Sequence, residues 1–313
     1  MEQQVVDVIE KKVYETYYPI VEKTSPIRSV KLMTKYLREK FKLIVPERIV
    51  AITISAFLSS RPVLYEGPPG TGKTEVGYAI LTLWSGKNAF ILPCSENYDE
   101  YRVIGDFHPL MAMKMGFTEE SFIPRPLLAA LILDAGVLVD EIRRSSEEFQ
   151  NMLLDIVDKR RIIVPELKRI FKAKGDGFQV IFTSNPEDIA QNELSDAFLR
   201  RVIRVKFTYP DEDVEREILK VRLGENYWKL GSDNVAKMIA SVNELREKAT
   251  HKPGPADTVA WAQIAVELAI LRERKDKVSS EEMFDAGLSV LLKRVEDEGI
   301  VEEVLMKYFS GKR

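Results

Sequence analysis

The chain has 313 residues, of which 45% are hydrophobic and 30% are charged, with a formal net charge of -3 at pH 7. This balance predicts a folded protein of one or two domains and argues against disorder and against a general attraction to nucleic acid. The single cysteine, Cys94, excludes an internal disulfide framework, and two histidines leave few ligands for a zinc site. We find no basic leader followed by an apolar segment and no membrane-spanning apolar run, so we expect a cytoplasmic protein without a membrane segment.

Residues 1–45 carry helical patterns rich in Lys, Glu and Tyr, which are broken at Pro26 and again before Pro46. We expect them to form an N-terminal helical extension, whose function the sequence does not indicate. A helical pattern after Pro46 then leads into the apolar run Pro62–Tyr65, which has the length of a buried strand. This run is the first strand of a predicted α/β core, residues 46–209.

The strongest signal follows that strand and reads Gly67-Pro68-Pro69-Gly70-Thr71-Gly72-Lys73-Thr74. It fits the pattern G-x-x-x-x-G-K-[ST] between a predicted strand and a predicted helix at Val76–Trp84, so backbone N–H groups and the helix dipole would face a phosphate. Lys73 is expected to reach the β- and γ-phosphate oxygens, and the Thr74 hydroxyl to ligate Mg²⁺. The octapeptide therefore predicts a nucleoside triphosphate site, to which we refer below as the phosphate loop.

Apolar runs alternate with helical patterns after the phosphate loop. Further strands are predicted at Ala89–Leu92, Gly136–Val139, Phe178–Thr183 and Val202–Phe207. Five strands in this βαβ alternation are typical of a parallel sheet with helices on both faces. Between the third and fourth strands, an amphipathic helix is expected to begin at a capping box formed by Ser145 and Glu148.

Two acids, Asp140 and Glu141, directly follow the third predicted strand. Because the carboxyl ends of parallel strands meet at one edge of the sheet, both carboxylates are expected beside the phosphate loop. Asp140 is predicted to hold the Mg²⁺ shell, and Glu141 to polarise an attacking water by accepting its proton. An apolar run that ends in Asp-Glu is common in itself, and its place after a phosphate loop and an intervening strand favours the functional interpretation.

Three more side chains are candidates for the same site. Asn185 follows the fourth predicted strand, where its amide can hydrogen-bond the water and the γ-phosphate; the alternative is an asparagine that only turns the chain before Pro186. Arg200 and Arg201 follow a short predicted helix, and one of them is expected to stabilise transition-state charge on a neighbouring subunit's nucleotide. A solvated or internally paired arginine couple is the alternative, and the sequence does not choose between the two residues.

Strand signals vanish after residue 209, and residues 210–313 are predicted to form an all-helical lid domain. Its helical patterns are Asp213–Leu223, Asn234–Ala249, Ala256–Arg274 and Ser279–Phe309. Within the core, a hairpin predicted between residues 160 and 174 has basic residues beside its apolar strands. Such charge could contact nucleic acid or an acidic partner, but a solvated hairpin is the favoured interpretation.

Four motifs, in this order, resemble those of the AAA+ ATPases and, within them, the MoxR-like branch. They are the phosphate loop, Leu138-Val139-Asp140-Glu141-Ile142, Thr183-Ser184-Asn185-Pro186 and Ala197-Phe198-Leu199-Arg200-Arg201. The resemblance covers roughly residues 46–310, and Gly105–Leu131 is similar to the segment that holds the branch's insertion in helix 2. It implies a P-loop NTPase fold of α/β class, with a five-stranded parallel sheet and a C-terminal helical lid, and with ATP bound between the two.

The resemblance also assigns roles to the matching positions. Lys73 would bind the phosphates and Thr74 would bind Mg²⁺. Asp140 would hold the metal and Glu141 would activate the water. Asn185 would take the sensor-1 role, and Arg200 or Arg201 would be the arginine finger. Members of the branch typically form hexameric rings and hydrolyse ATP to remodel or mature partner complexes, often ones with von Willebrand A domains. We therefore predict a Mg²⁺-dependent, ring-forming, chaperone-like ATPase with a protein client. The preference for ATP over GTP rests on the resemblance alone.

Two positions depart from the family's pattern. A sensor-2 arginine or lysine is usual near the start of the third lid helix, whereas here Asp257 lies close to that place and Lys252 is a weak substitute. Arg125 replaces the small residue common before Pro-Leu in the insert segment. A nucleotide-gated binding module with negligible turnover therefore stays open as an alternative. A nucleic-acid-associated motor or loader subunit is another, against which the acidic pI of about 5.8 stands.

Overall fold

The computed structural model describes residues 7–18, 24–96, 98–186, 192–273 and 277–309. Residues 1–6 and 19–23 of the predicted extension lie outside these ranges, as do residues 274–276 and 310–313 of the predicted lid domain, among them Arg274, the predicted end of a lid helix. The strands are β1 (Val63–Glu66), β2 (Phe90–Pro93), β3 (Gly105–Phe107), β4 (Phe122–Pro124), β5 (Val137–Asp140), β6 (Arg161–Val164), β7 (Arg169–Lys172), β8 (Val180–Ser184) and β9 (Ile203–Lys206).

The helices cover the rest of the regular structure. They are α1 (Val8–Tyr17), α2 (Val30–Glu39), α3 (Glu47–Leu58), α4 (Lys73–Ser85), α5 (Glu100–Val103), α6 (Pro109–Met115), α7 (Pro126–Leu133), α8 (Glu147–Lys159), α9 (Asp196–Leu199), α10 (Glu212–Leu223), α11 (Tyr227–Leu230), α12 (Ser232–Lys248), α13 (Pro255–Leu271), α14 (Ser280–Leu291) and α15 (Glu298–Phe309). Short 3₁₀ turns, such as Ile142–Arg144 after β5, connect some of them.

Five strands form one parallel sheet, in the order β2-β5-β8-β1-β9. The central strands β1 and β8 are buried along their whole length, as expected where helices cover both faces. The five-stranded parallel α/β fold predicted from the sequence is therefore confirmed. Because all five strands run in one direction, Glu66, Asp140 and Ser184 end at the same edge of the sheet, where the phosphate loop begins.

The chain divides into two compact units. The first comprises Met1–Leu37, Val45–Gly67 and Lys73–Phe207; the second comprises Arg38–Ile44, Pro68–Gly72 and Thr208–Arg313. In the first unit, α7 is apolar on every side, and all its residues from Leu127 to Leu133 are buried. A helix without a polar face is stable in water only inside a core, which is where the sequence PLLAALIL lies.

Helix α1 joins two hairpins of the first unit, one formed by β3 and β4 and the other by β6 and β7. Asp7, at its N-cap, and Glu119, before β4, both pair with Arg169 of β7. Lys12 donates to the backbone carbonyls of Glu119, Glu120 and Phe122. Glu10 pairs with Lys174 at 2.8 Å. Two basic residues of the β6–β7 hairpin are thus engaged within the chain.

One capping prediction is wrong. Helix α8 begins after Ser146, whose hydroxyl accepts a hydrogen bond from the Phe149 N–H at 3.2 Å. The Ser145 hydroxyl instead donates to the Ile142 carbonyl at 2.7 Å, because Ser145 ends the 3₁₀ turn that follows Glu141. The predicted capping box was therefore displaced by one residue, since nothing in the local pattern announces that short turn.

The second unit has its own core, in which Trp261 of α13 is fully buried and its indole N–H donates to the Met283 carbonyl at 2.7 Å. The single helix predicted over Ser279–Phe309 is divided into α14 and α15. Between them, the Asp297 carboxylate accepts the N–H groups of Thr250 and His251, each at 2.8 Å. These N–H groups hold the pKa of the Asp297 carboxyl below its usual value, although burial alone would raise it.

Candidate nucleotide site

The phosphate loop lies between the end of β1 and the start of α4. Gly72 has φ +84°, a left-handed conformation that glycine adopts without strain, and a side chain added there would meet no atom within 4 Å. The loop backbone at Gly72 is therefore open on that side, as close approach to a phosphate requires. Lys73 is buried, and its ammonium donates to the Gly67 carbonyl at 2.8 Å. The ammonium group thus contacts the first residue of the phosphate loop, and Lys73 itself is the first residue of α4.

Asp140 is held at the end of β5 by two threonines. Its Oδ1 accepts hydrogen bonds from the Thr74 hydroxyl at 2.8 Å and from the Thr183 hydroxyl at 2.6 Å. Thr183 also accepts from the backbone N–H of Glu141 at 2.9 Å. The hydroxyl of Thr183 therefore fixes both acids. In the sequence, Thr183 is marked only as part of a motif. Its position as a polar residue at the end of an otherwise apolar strand could have indicated that it belongs to the site.

Glu141 adopts a left-handed conformation with φ +56° and ψ +51°, which is unfavourable for a residue with a side chain. Such backbone strain concentrates at functional sites. Its carboxylate forms an ion pair with the guanidinium of Arg144 at 2.7 Å, and both side chains are about half exposed. The carboxylate is thus reachable from solvent and has a cationic neighbour three residues away.

Asn185 directly follows β8. Its Oδ1 is buried, and within the part of the chain that the structure describes it has no hydrogen-bond partner. A buried carbonyl oxygen without a donor is costly, so the site favours a ligand or a water that donates to it. The Cys94 N–H donates to the Asp140 carbonyl at 2.9 Å, and burial together with the charge of Asp140 raises the pKa of the Cys94 thiol to about 12, which favours the protonated thiol at neutral pH.

The two arginines after α9 differ in their surroundings. Arg201 lies 3.5 Å from the carboxylate of Asp158. Arg200 is exposed, and among the described residues its side chain has neither an ion pair nor a hydrogen bond. The structure does not bring either residue into contact with Lys73, Asp140 or Asn185. Arg201 thus has a partner within the described residues, and Arg200 has none.

These residues fit a Mg²⁺-bound triphosphate. One open phosphate loop, one buried lysine, a threonine hydroxyl on a carboxylate and a buried amide oxygen without a donor converge on one edge of the sheet. Among the described residues, no cluster of three or more His, Cys, Asp and Glu side chains could bind a metal. Mg²⁺ commonly takes only one or two protein oxygens beside phosphates and water, which is what Thr74 and Asp140 offer.

The start of α13, where a sensor-2 residue is usual, is built differently. Asp257 caps its own helix, since its carboxylate accepts from the Gly254 N–H at 2.9 Å. Within the second unit, the Ala256 N–H donates to the Gly70 carbonyl at 3.3 Å. Arg246 holds the preceding loop by donating to the Pro253 carbonyl at 2.8 Å. Backbone contacts therefore reach the phosphate loop where the family usually has a side chain.

Arg125, the second departure from the family's pattern, is exposed. It has extended backbone and stands directly before Pro126, the first residue of α7. A long side chain is accommodated there because the position is exposed. No helix among the described residues is long and apolar enough to cross a bilayer.

Comparison with known proteins agrees with this geometry. Residues 62–202 match the family described as AAA domain, dynein-related subfamily. The chain is 24% identical to the gas vesicle ATPase GvpN of Ancylobacter aquaticus over 62% of this chain and 57% of that protein. It is 27% identical to the protein CbbQ of Hydrogenophilus thermoluteolus, over 53% and 60% of the two chains. An uncharacterized protein of Staphylococcus epidermidis is 24% identical over 69% of this chain and 79% of its own length.

Among solved structures, a chain of the complex between subunits BchI and BchD of magnesium chelatase is similar, with a TM-score of 0.40, 18% identity and coverage of 81% of this chain and 95% of that chain. The matched segment 62–202 begins just before β1 and ends just before β9, so it contains the phosphate loop, both acids, Asn185 and both arginines. Residues 62–202 thus match an AAA domain, which agrees with the resemblance of the four motifs to the AAA+ ATPases.

Proposed function

We propose that this protein is a Mg²⁺-dependent ATPase that acts as a ring and uses hydrolysis to rearrange a partner protein complex. The observation that carries the proposal is the convergence of Lys73, Thr74, Asp140 and Asn185 at one edge of the sheet. The relative GvpN is named an ATPase, which supports the same activity here. The choice of ATP over GTP is supported by the family.

The chain's own residues account for the chemistry as follows. The phosphate loop and Lys73 bind the β- and γ-phosphates, and Thr74 and Asp140 hold Mg²⁺, which neutralises phosphate charge when bound. Glu141 accepts a proton from the attacking water at its carboxylate. Asn185 orients that water through the amide whose Oδ1 is buried without a donor among the described residues. Arg144 pairs with one oxygen of that carboxylate, Oε2, at 2.7 Å, and the second oxygen can accept the proton.

The arginine finger requires a neighbouring subunit. We assign it to Arg200, because Arg201 is paired with Asp158 and Arg200 is exposed with an uncommitted side chain among the described residues. A ring places such a residue at the next subunit's triphosphate, where it stabilises transition-state charge. A hexamer and a client with a von Willebrand A domain are proposed from the family alone.

Glu141→Gln tests the hydrolytic function. The variant removes the proton acceptor and keeps the phosphate loop, so we expect Mg·ATP affinity within about threefold of wild type and turnover lower by about 10²- to 10⁴-fold. Undiminished steady-state turnover would remove Glu141 from its role.

The ATP-bound Glu141→Gln variant would also retain its client. Proteins that copurify with this variant, but not with Lys73→Ala, identify the partner.

Two observations favour a second candidate, the nucleotide-gated binding module. The pairing of Glu141 with Arg144 and the lack of a basic side chain at the start of α13 are both compatible with binding that is not followed by turnover. Phosphate release measured over a range of protein concentrations separates the two functions. A ring ATPase gains turnover per subunit as it assembles, whereas a binding module stays near zero throughout.

A further inference from the structure

A buried carboxylate lies directly before the phosphate loop. Glu66 ends β1 and its side chain is only 3% exposed. One of its oxygens, Oε2, accepts from the guanidinium of Arg204 at 2.7 Å. The other, Oε1, has no hydrogen-bond donor among the described residues, and the nearest cation is the Arg143 guanidinium at 3.6 Å. Arg143 is therefore the second cation that balances this buried charge.

Arg143 also binds the strand that carries Asn185. Its Nε donates to the Ser184 hydroxyl at 2.7 Å, and Ser184 directly precedes Asn185. Ser184 and Glu66 are register partners in β8 and β1, so one guanidinium spans the ends of two neighbouring strands. The Gly67 N–H donates to the Ser184 carbonyl at 3.3 Å, which brings the first residue of the phosphate loop into the same contact.

The backbone of Arg143 also connects it to Glu141. Arg143 lies in the 3₁₀ turn Ile142–Arg144, whose N-cap is the strained Glu141. The Arg143 carbonyl accepts from the Asn192 N–H at 3.0 Å, which anchors that turn. The side chain is 16% exposed, whereas that of Arg204 is 49% exposed, so Arg143 is the more enclosed of the two cations.

We propose that Arg143 is a positioning residue for hydrolysis: its guanidinium ties Ser184 and Glu66 together and thereby fixes Asn185 and Glu141 relative to each other. The inference rests on the proposed ATPase function. Arg143 touches neither Lys73 nor Thr74 nor Asp140, so it acts on the orientation of the water and not on nucleotide binding. A displacement of about 1 Å in a catalytic group can lower a rate by about 10²-fold.

The variant Arg143→Gln tests this role. We expect kcat to fall by about 10- to 100-fold while the Kd for Mg·ATP stays within about threefold of wild type. Arg204→Gln is the matched control, because Arg204 binds the same Glu66 carboxylate from the other side and does not reach Ser184. It should keep kcat within about threefold of wild type. Arg143→Lys places a cation near Glu66 but lacks the guanidinium that contacts both Glu66 and Ser184. This variant should fold normally and recover only part of the turnover.

Ser184→Ala completes the test. It should reproduce most of the kcat loss, and the double variant Arg143→Gln/Ser184→Ala should be no slower than Arg143→Gln alone, because both remove one contact. The inference would be overturned by wild-type kcat in Arg143→Gln, or by an equal loss in Arg204→Gln, which would mean that only the charge of Glu66 matters. If wild-type protein showed no turnover at all, both the proposed function and this role would fall; turnover in wild type and Arg143→Gln alike removes the role alone.

Discussion

The hydroxyl of Thr74 and the carboxylate of Asp140, 66 residues apart in the chain, are joined by a hydrogen bond of 2.8 Å. One stands at the start of α4 and the other at the end of β5, and the parallel sheet brings the two together. Thr183 donates to the same carboxylate oxygen from the neighbouring strand. Three segments of the chain thus meet at the proposed metal site.

Thr183→Val should disturb both acids at once. Valine keeps the shape of the buried side chain but leaves the Glu141 N–H without its acceptor and Asp140 without one donor. We expect the free energy of unfolding to fall by about 1–3 kcal/mol and turnover by at least about tenfold, measured by denaturant unfolding and phosphate release. Thr53→Val is the control, because Thr53 is equally buried and its hydroxyl bonds the Ile49 carbonyl and the Tyr65 hydroxyl, neither of which contacts the two acids. Equal turnover in the two variants would contradict the role of Thr183.

Mutation of Arg200 and of Arg201 should affect turnover differently. Arg200→Ala is expected to lower turnover by about 10³-fold or more, as loss of a finger does, while Arg201→Ala loses only an exposed ion pair and stays within about threefold. Mixing Arg200→Ala with Glu141→Gln should restore turnover, since each supplies what the other lacks across a subunit boundary. Monomers that keep full turnover per subunit on dilution would rule out a finger in trans.

Gly254 lies so close to the phosphate loop that a side chain does not fit. A Cβ there would stand 2.8 Å from the carbonyl carbon and 2.9 Å from the Cα of Gly70, both backbone atoms that cannot rotate away. Gly254→Ala should therefore shift the loop and weaken Mg·ATP binding about tenfold, given the usual cost of overpacking of about 1–3 kcal/mol. Gly299→Ala, where a side chain meets nothing within 4 Å, should leave affinity unchanged. Calorimetric titration with Mg·ATP measures the affinity of both variants. Equal affinities in Gly254→Ala and Gly299→Ala would exclude a role for the contact between Gly254 and Gly70.

The helical unit should carry an acid-sensitive contact at Glu244. Hydrogen bonds from Lys248 and Lys307, each 2.7 Å, and from the Tyr308 hydroxyl lower the pKa of the Glu244 carboxyl from 4.5 to about 2. A carboxyl with a depressed pKa stabilises the folded state above pH 4.5, and this contribution disappears as the pH falls towards 2. Between these values, the stability of wild type should fall more steeply than that of Glu244→Gln. Glu247→Gln, exposed on the same helix, should follow wild type in denaturant unfolding at each pH; identical slopes for all three proteins would contradict the assignment.

The sequence predicted the sheet because short apolar runs alternate with helical patterns, and it predicted the phosphate loop because one octapeptide carries most of that chemistry. The ends of the strands were harder to predict. Asp140 and Ser184 still pair in the ladder, opposite Pro93 and Glu66, although a hydrophobicity pattern places polar residues outside a strand. Backbone pairing continues as long as a neighbouring strand is present, whatever the side chain.

The contacts that organise the site could not be predicted, since they depend on which strands are neighbours. The double use of the Thr183 hydroxyl and the reach of Arg143 across β8 and β1 both follow from the order of the sheet. The proposed choice of Arg200 over Arg201 likewise rests on the position of Asp158, which is distant in sequence. Local patterns thus identified the residue types of the site, and the topology determined their partners.

Lys73→Ala tests the central claim most directly, in a titration of Mg·ATP against wild type and variant under conditions where both are folded. Lys73 is buried over the loop, and a hydrogen bond between charged groups contributes about 1.5–3 kcal/mol, so the account predicts that affinity falls by about 10- to 100-fold. An affinity equal to that of wild type would contradict the claim that a triphosphate binds at the phosphate loop.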